Sequence, residues 1–529
     1  MMTMRVPLII CGLLLSLASA AQPKTERATV QWGPELKEKD TGEFGRVFGL
    51  TDEAVYMTLL RKKELLLQKM NGDLASSYSK VLELELDKKD MDLEELLVID
   101  GRILAFASIH SKKEDQRTLY LRMFDEATMN AEGGWQEIAQ FAAEKERSGS
   151  FGVEVSPDKK HVLVAVNVPY EKDAAEKFQL HVFDGGAKPE WDREITLPYT
   201  DKEFSFEEFR VDNLGDVIMI GVKFAEKREA RALKRAGKAQ YDYHVLTYAA
   251  DGKEQDHVIA VKDKFLQDLT LSLDNGNGQI LCGGFFGNKG TSLIRGSFFL
   301  RLDPTTFAVE HESFKEFSDD FITQYMTAKE EEKAKKRADR KDEDLQLYEY
   351  DLADIIRRDD GGAVLIGEQY YSYSTTTCYT TQGGGRTCTT TYHYIYNDII
   401  VISIDPDGNI TWASTIPKRQ HTTNDGGYFS SYGLDVKGSN LYIVYNDNGQ
   451  NLFLAAGDKF KNTDFQGKSS IVTLATVNVD GHVIREALFD PEKRELILRP
   501  KSCRQLEDDR LFLYATRKKD YRFGMVTFD

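Results

Sequence analysis

The stretch YYSYSTTTCYTTQGGGRTCTTTYHYIY, residues 370–396, holds the side chains best placed by type and spacing to do chemistry. It is nearly palindromic about Gly383, so that Cys378 matches Cys388 and Tyr373 matches His393. A hairpin turning through the three glycines brings the two thiols within disulfide reach. Tyr371, Tyr373, Tyr379, Tyr392 and Tyr394 then stand along its arms, available to stack on a sugar or a protein. The same composition equally suits a solvated hairpin stapled for stability, because Thr and Tyr are strong strand formers.

Catalytic spacings are missing elsewhere. The nine histidines form no H-x-H, H-x3-H or H-E-x-x-H pattern, so no metal site is expected. There is no G-x-S-x-G elbow and no phosphate-cradling glycine loop, and Ser77-x-x-Lys80 lacks the motifs that accompany it in hydrolases. DNGNG (274–278) and DPDGN (405–409) lack the ligand ladder of a calcium loop and read as turns. Carboxylates are plentiful, and a carbohydrate-active enzyme gathering them at a central channel is the alternative to a non-enzymatic binding protein. No cofactor is implied.

The elements that must carry these residues follow from a repeat. An acidic turn followed by an apolar strand occurs eight times, ahead of AVYMTLL (54–60), RILAFASI (102–109), HVLVAVNV (161–168), DVIMIGV (216–222), QILCGGFF (279–286), AVLIGEQYY (363–371), NLYIVY (440–445) and RLFLYAT (510–516). Each is followed by a second strand ending at an Asp- or Asn-centred turn, from LLLQKMNGD (65–73) to GMVTFD (524–529). With an inner and an outer strand these make four-stranded antiparallel units too small to bury a core alone. The fold class is therefore all-β, an eight-bladed β-propeller with seven blades as the alternative.

Trp191 and Trp412 each lie seven residues after a turn aspartate, and Trp135 ten after Asp125; each opens an outer strand able to pack on the next blade. Trp32 has no such turn before it, while the last turn phrase, at 527–529, has no outer strand after it. The strand at Trp32 is expected to complete the last blade and close the ring. The D-x6-W turns resemble those of eight-bladed quinoprotein-type propellers and their non-catalytic relatives. That family's full tryptophan phrase and adjacent cysteine pair are not met, so quinone binding is not implied. The general style also resembles uncharacterised exported propellers of Gram-negative bacteria.

Extra sequence falls where a propeller exposes one face: 226–242 and 316–347, both charged and helical, the latter started by Ser318 or Asp319, with 373–393 and 447–468. Loops on a rigid scaffold usually carry recognition, so this face is the expected working surface.

Residues 1–20 read as a signal peptide, with Arg5, an apolar run from Val6 to Leu17 and the small-residue site Ala18-Ser19-Ala20; 21–529 form one propeller domain. The expected location is the periplasm, the cell surface or the medium. The formal net charge of −17 disfavours nucleic acid, and no segment reads as a membrane span. A monomer is expected, contacting a protein or glycan. Spacing does not decide whether Cys282 and Cys503 are free.

Overall fold

The computed structural model describes residues 25–529 except 52, 237, 260, 262–263, 274–278, 288–292, 342–344, 354, 359, 381–385, 466–468, 490–495 and 507–509. Residues 1–20, read above as a signal peptide, the DNGNG stretch (274–278) and the glycines around Gly383 lie outside the described residues.

Among the described residues eight antiparallel blade sheets follow one another along the chain, with a two-stranded ribbon of Glu85–Leu86 and Lys89–Asp90 between the first two. Blade 1 comprises Glu43–Leu50, Val55–Arg61, Glu64–Met70 and Ser76–Val81. Blades 2 to 5 repeat this order, starting at Asp92–Ile99, Ser150–Val155, Phe204–Val211 and Phe265–Leu273. Blade 6 is built on the long pair Ala363–Thr380 and Arg386–Ile404, blade 7 starts at Gly433–Lys437, and blade 8 holds Arg510–Arg517 and Asp520–Phe528.

Alternate side chains of a strand point to opposite faces, and each blade has a neighbour on both. The second strands are accordingly apolar throughout. In blade 5, Leu281 and Phe285 pack toward blade 6 while Cys282 and Phe286 pack toward blade 4. Among the described residues eight hydrophobic clusters form, one at each junction, including that between blades 8 and 1. Stability is thus spread around the ring.

The strand Ala28–Trp32 pairs antiparallel with Asp520–Phe528, Ala28 opposite Phe528 and Trp32 opposite Gly524. The expected eight-bladed, strand-closed ring is what the sheets form. Trp191 and Trp412 reach forward as expected, their indole N–H groups donating to Gly215 O (3.0 Å) and Val479 O (2.7 Å) of the following blade. Trp135 differs. It packs back into the junction of blades 1 and 2, beneath the Arg122 guanidinium.

The short turns owe their shape to their acidic and amide residues. Asp212 Oδ1 accepts from the backbone of Leu214 and Asp216, both at 2.8 Å, and Asp405 Oδ1 accepts from Asn409 N at 2.8 Å. Gly215 takes φ 78°, a left-handed value that a side chain would strain. The longer connections emerge on the opposite face. They include the helix Lys227–Arg235 and, between blades 5 and 6, the helices Asp319–Thr323 and Ala328–Lys341. Here the expectation needs correction: Ser318 caps only the short first helix, accepting from Phe321 N at 3.1 Å. The charged helix starts afresh behind Thr327, whose backbone N–H and hydroxyl both reach Glu330 at 2.8 Å. No helix among the described residues is long and apolar enough to cross a membrane.

Candidate binding cleft

The two central strands of blade 6 run on past their sheet as a hairpin. Their register extends from Ala363–Ile404 to Thr380–Arg386, with one bulge between Glu368 and Tyr370. Residues 363–369 are buried in the blade, whereas 372–380 are almost all exposed. Cys378 lies directly opposite Cys388 with Cα atoms 4.1 Å apart, and the two form a disulfide.

Residues directly opposed in an antiparallel pair share a face. Tyr373 opposes His393, while Ser372 opposes Tyr394 and Ser374 opposes Tyr392. Tyr371, Tyr373 and Tyr379 therefore stand on one face, and Tyr392 and Tyr394 on the other. The five tyrosines do not make a single stacking surface. Tyr373 stacks on His393 with ring centroids 4.4 Å apart. His393 Nδ1 meets His421 Nε2 at 2.9 Å, and His393 Nε2 meets Thr375 Oγ1 at 2.9 Å. His421 belongs to the strand Gln420–Thr423, which pairs with His393–Tyr396 and braces the hairpin at its root.

Beside this root lies a cleft of about 620 Å³. Its walls are the helices Asp319–Thr323 and Ala328–Lys341, the segment 345–350, the hairpin root at Tyr371 and Tyr373, and the blade 6 to blade 7 connection at Arg419 and His421. Tyr325, Tyr348 and Tyr350 add aromatic surface; Gln369, Asn397 and Asn462 add amides. The volume falls within the range of roughly 300–1,000 Å³ usual for small-ligand sites. Tyr379, Tyr392 and Tyr394 do not line it.

A buried network that sequence reading missed lies behind the cleft and reaches its lining through Gln420. Lys418 is fully buried, and its ammonium donates to Glu368 Oε1 (2.6 Å), Gln420 Oε1 (3.0 Å) and Tyr396 O (3.1 Å). Glu368 Oε2 also accepts from Ser431 Oγ at 2.6 Å. Gln420 donates to Asn446 O at 2.9 Å, and Asn446 donates to Phe429 O and Leu498 O, both at 2.8 Å. One network so joins blades 6, 7 and 8. Asp398 accepts from Lys418 N at 3.1 Å and pairs with Arg419. Burial pulls the Lys418 ammonium below its usual range against the opposing field of Glu368, and pushes Asp447 up to about 6. Each donor position of Lys418 is satisfied, which is the condition for a tolerable buried charge.

The inner strands carry a second set of carboxylates. Glu94 pairs with Arg117 at 2.7 Å, and Glu95 with Arg46 at 2.7 Å. Asp268 accepts from the backbone N–H groups of Leu269 (2.9 Å) and Leu352 (3.2 Å). Burial, with Asp351 and Glu207 nearby, pushes Asp268 up to about 6, and burial also raises Glu207 and Asp351. No group of three His, Cys, Asp or Glu suited to a metal ion occurs among the described residues. Cys282 and Cys503 are buried free thiols.

No protein-family model matches the chain, and no curated protein matches it. Among solved structures, the WD40 domain of SCAP from fission yeast is similar at 8% identity and TM-score 0.39, covering 95% of this chain and 94% of that one. A Pyrococcus horikoshii acylaminoacyl peptidase is similar at 10% identity and TM-score 0.35, covering 91% of this chain and 58% of that one. A Bacteroides caccae protein of unknown function shares 11% identity at TM-score 0.28, covering 69% and 94%. The assignment as an eight-bladed propeller rests on the sheets themselves.

Proposed function

We propose that this protein is an exported, monomeric, non-enzymatic binding propeller that holds a glycan in the cleft at the root of the blade 6 hairpin. The observation that carries this reading is the cleft itself, with tyrosine and amide walls, Gln420 among them held from behind by the buried Lys418. Aromatic faces and paired donors and acceptors are what a hydroxylated ring requires. The segment 1–20 and the Cys378–Cys388 bridge support work outside the cytoplasm.

The test is a glycan array probed with the wild-type protein and with Tyr371→Ala/Tyr373→Ala. Signal lost in a variant of unchanged Tm supports the reading; an identical profile rejects it. Capture of a protein partner lost on deleting 374–392 but retained in the tyrosine variant would assign the arm to a protein instead. A second reading, a carbohydrate-active enzyme, draws on the raised carboxyls Glu207, Asp268 and Asp351 of adjacent inner strands. Polysaccharide turnover abolished by Asp268→Asn would favour it over binding alone.

A further inference from the structure

The cleft differs in charge from the molecule that carries it. The chain has 86 acidic and 69 basic residues, yet Lys333, Arg337 and Arg419 face the cleft against only Glu330 and Asp398. Both of these carboxylates are engaged. Glu330 closes the cap of its helix with Thr327, and Asp398 holds Arg419 and the backbone of Lys418. On the same helix Lys335 and Lys336 are neutralised by Glu331 and Glu332 one turn earlier. Lys333 and Arg337, also one turn apart, form no ion pair among the described residues. The helix therefore pairs Glu331 and Glu332 with lysines and brings Glu330, Lys333 and Arg337 to the cleft, a surplus of one positive charge.

Those cations line the same cleft as Tyr371 and Tyr373 of the hairpin root. A ligand filling the space meets both aromatic rings and positive charge. In a protein of net charge −17, the general field repels anions, so an anion is retained only where local cations outweigh it. We infer that the ligand is an acidic sugar, its carboxylate or sulfate set on Lys333 and Arg337 and its rings against Tyr371 and Tyr373. The inference rests on the cleft being the binding site proposed above. It adds that charge on the sugar selects it.

The experiment is titration calorimetry of the whole protein with short oligomers of galacturonate, of sulfated chondroitin, and of neutral glucose. Lys333→Gln/Arg337→Gln, both on an exposed helix face, is compared with wild type. The acidic oligomers bind wild type, binding weakens with added salt, and the double variant loses roughly tenfold in affinity, the equivalent of about 1.4 kcal/mol. Uronate and sulfate arms show which acid group is preferred. Neutral oligomers bound as tightly as acidic ones, or acidic ones bound equally by the double variant, would overturn the inference and leave glycan binding intact. No binding by any oligomer would overturn both.

Discussion

Lys418 concentrates the energetics of the site in one residue. An ammonium taken wholly out of water survives because three acceptors surround it, one of them the Glu368 carboxylate. Removing one partner leaves the other charge stranded, and that costs more than the pair itself contributes. Lys418→Met is expected to lower the unfolding free energy by about 3–5 kcal/mol, measured by urea denaturation. Adding Glu368→Gln should recover part of the loss, because the stranded carboxylate is then neutral. If the double variant is less stable than the single one, the stranded-charge account fails. The residue sits in the polar stretch IPKRQHTTND (416–425), which sequence reading did not single out. Nothing local signals its burial, since Glu368 and the Tyr396 carbonyl reach it only through the tertiary fold.

The hairpin is the element that departs most from its blade. Beyond residue 371 it leaves the junction clusters and relies on its own ladder, the brace at Gln420–Thr423 and the disulfide. Its pairing was legible in the sequence palindrome, because register follows from matched residues about a turn. Its division of tyrosines between two faces was equally fixed by parity, although counting tyrosines alone hid it. A bridge closing so short a loop removes about 3 kcal/mol of chain entropy from the opened arm. Cys378→Ser/Cys388→Ser should therefore speed amide exchange at residues 372–377 by roughly a hundredfold. The Tm of the ring should stay unchanged, since no junction cluster includes these residues. A fall in Tm matching a global loss of stability would show that the arm is part of the cooperative core.

Closure of the ring is a property of the whole molecule. The last blade lacks an outer strand until Ala28–Trp32 supplies it, and Val30 is fully buried in the cluster between blades 7 and 8. A charge placed there has no partner, whereas the neighbouring Gln31 faces solvent. Val30→Asp is expected to cost about 4 kcal/mol or more, with Gln31→Asp near neutral, compared by thermal melts. Equal melting of the two variants would mean that the closing strand contributes little to the ring.

The ring was legible in local patterns: eight turn phrases, strands apolar on both faces and a first strand with no turn before it pointed to eight blades, with seven as the alternative. Turn geometry and strand alternation are encoded by neighbouring residues, so they can be read without coordinates. Where a ligand could sit was set by how the blades pack. The cleft draws on segments near 321–350, 369–373, 395–398 and 415–421, which radial stacking brings together across long stretches of chain. Convergence of that kind depends on how blades pack, and no periodicity within a blade records it.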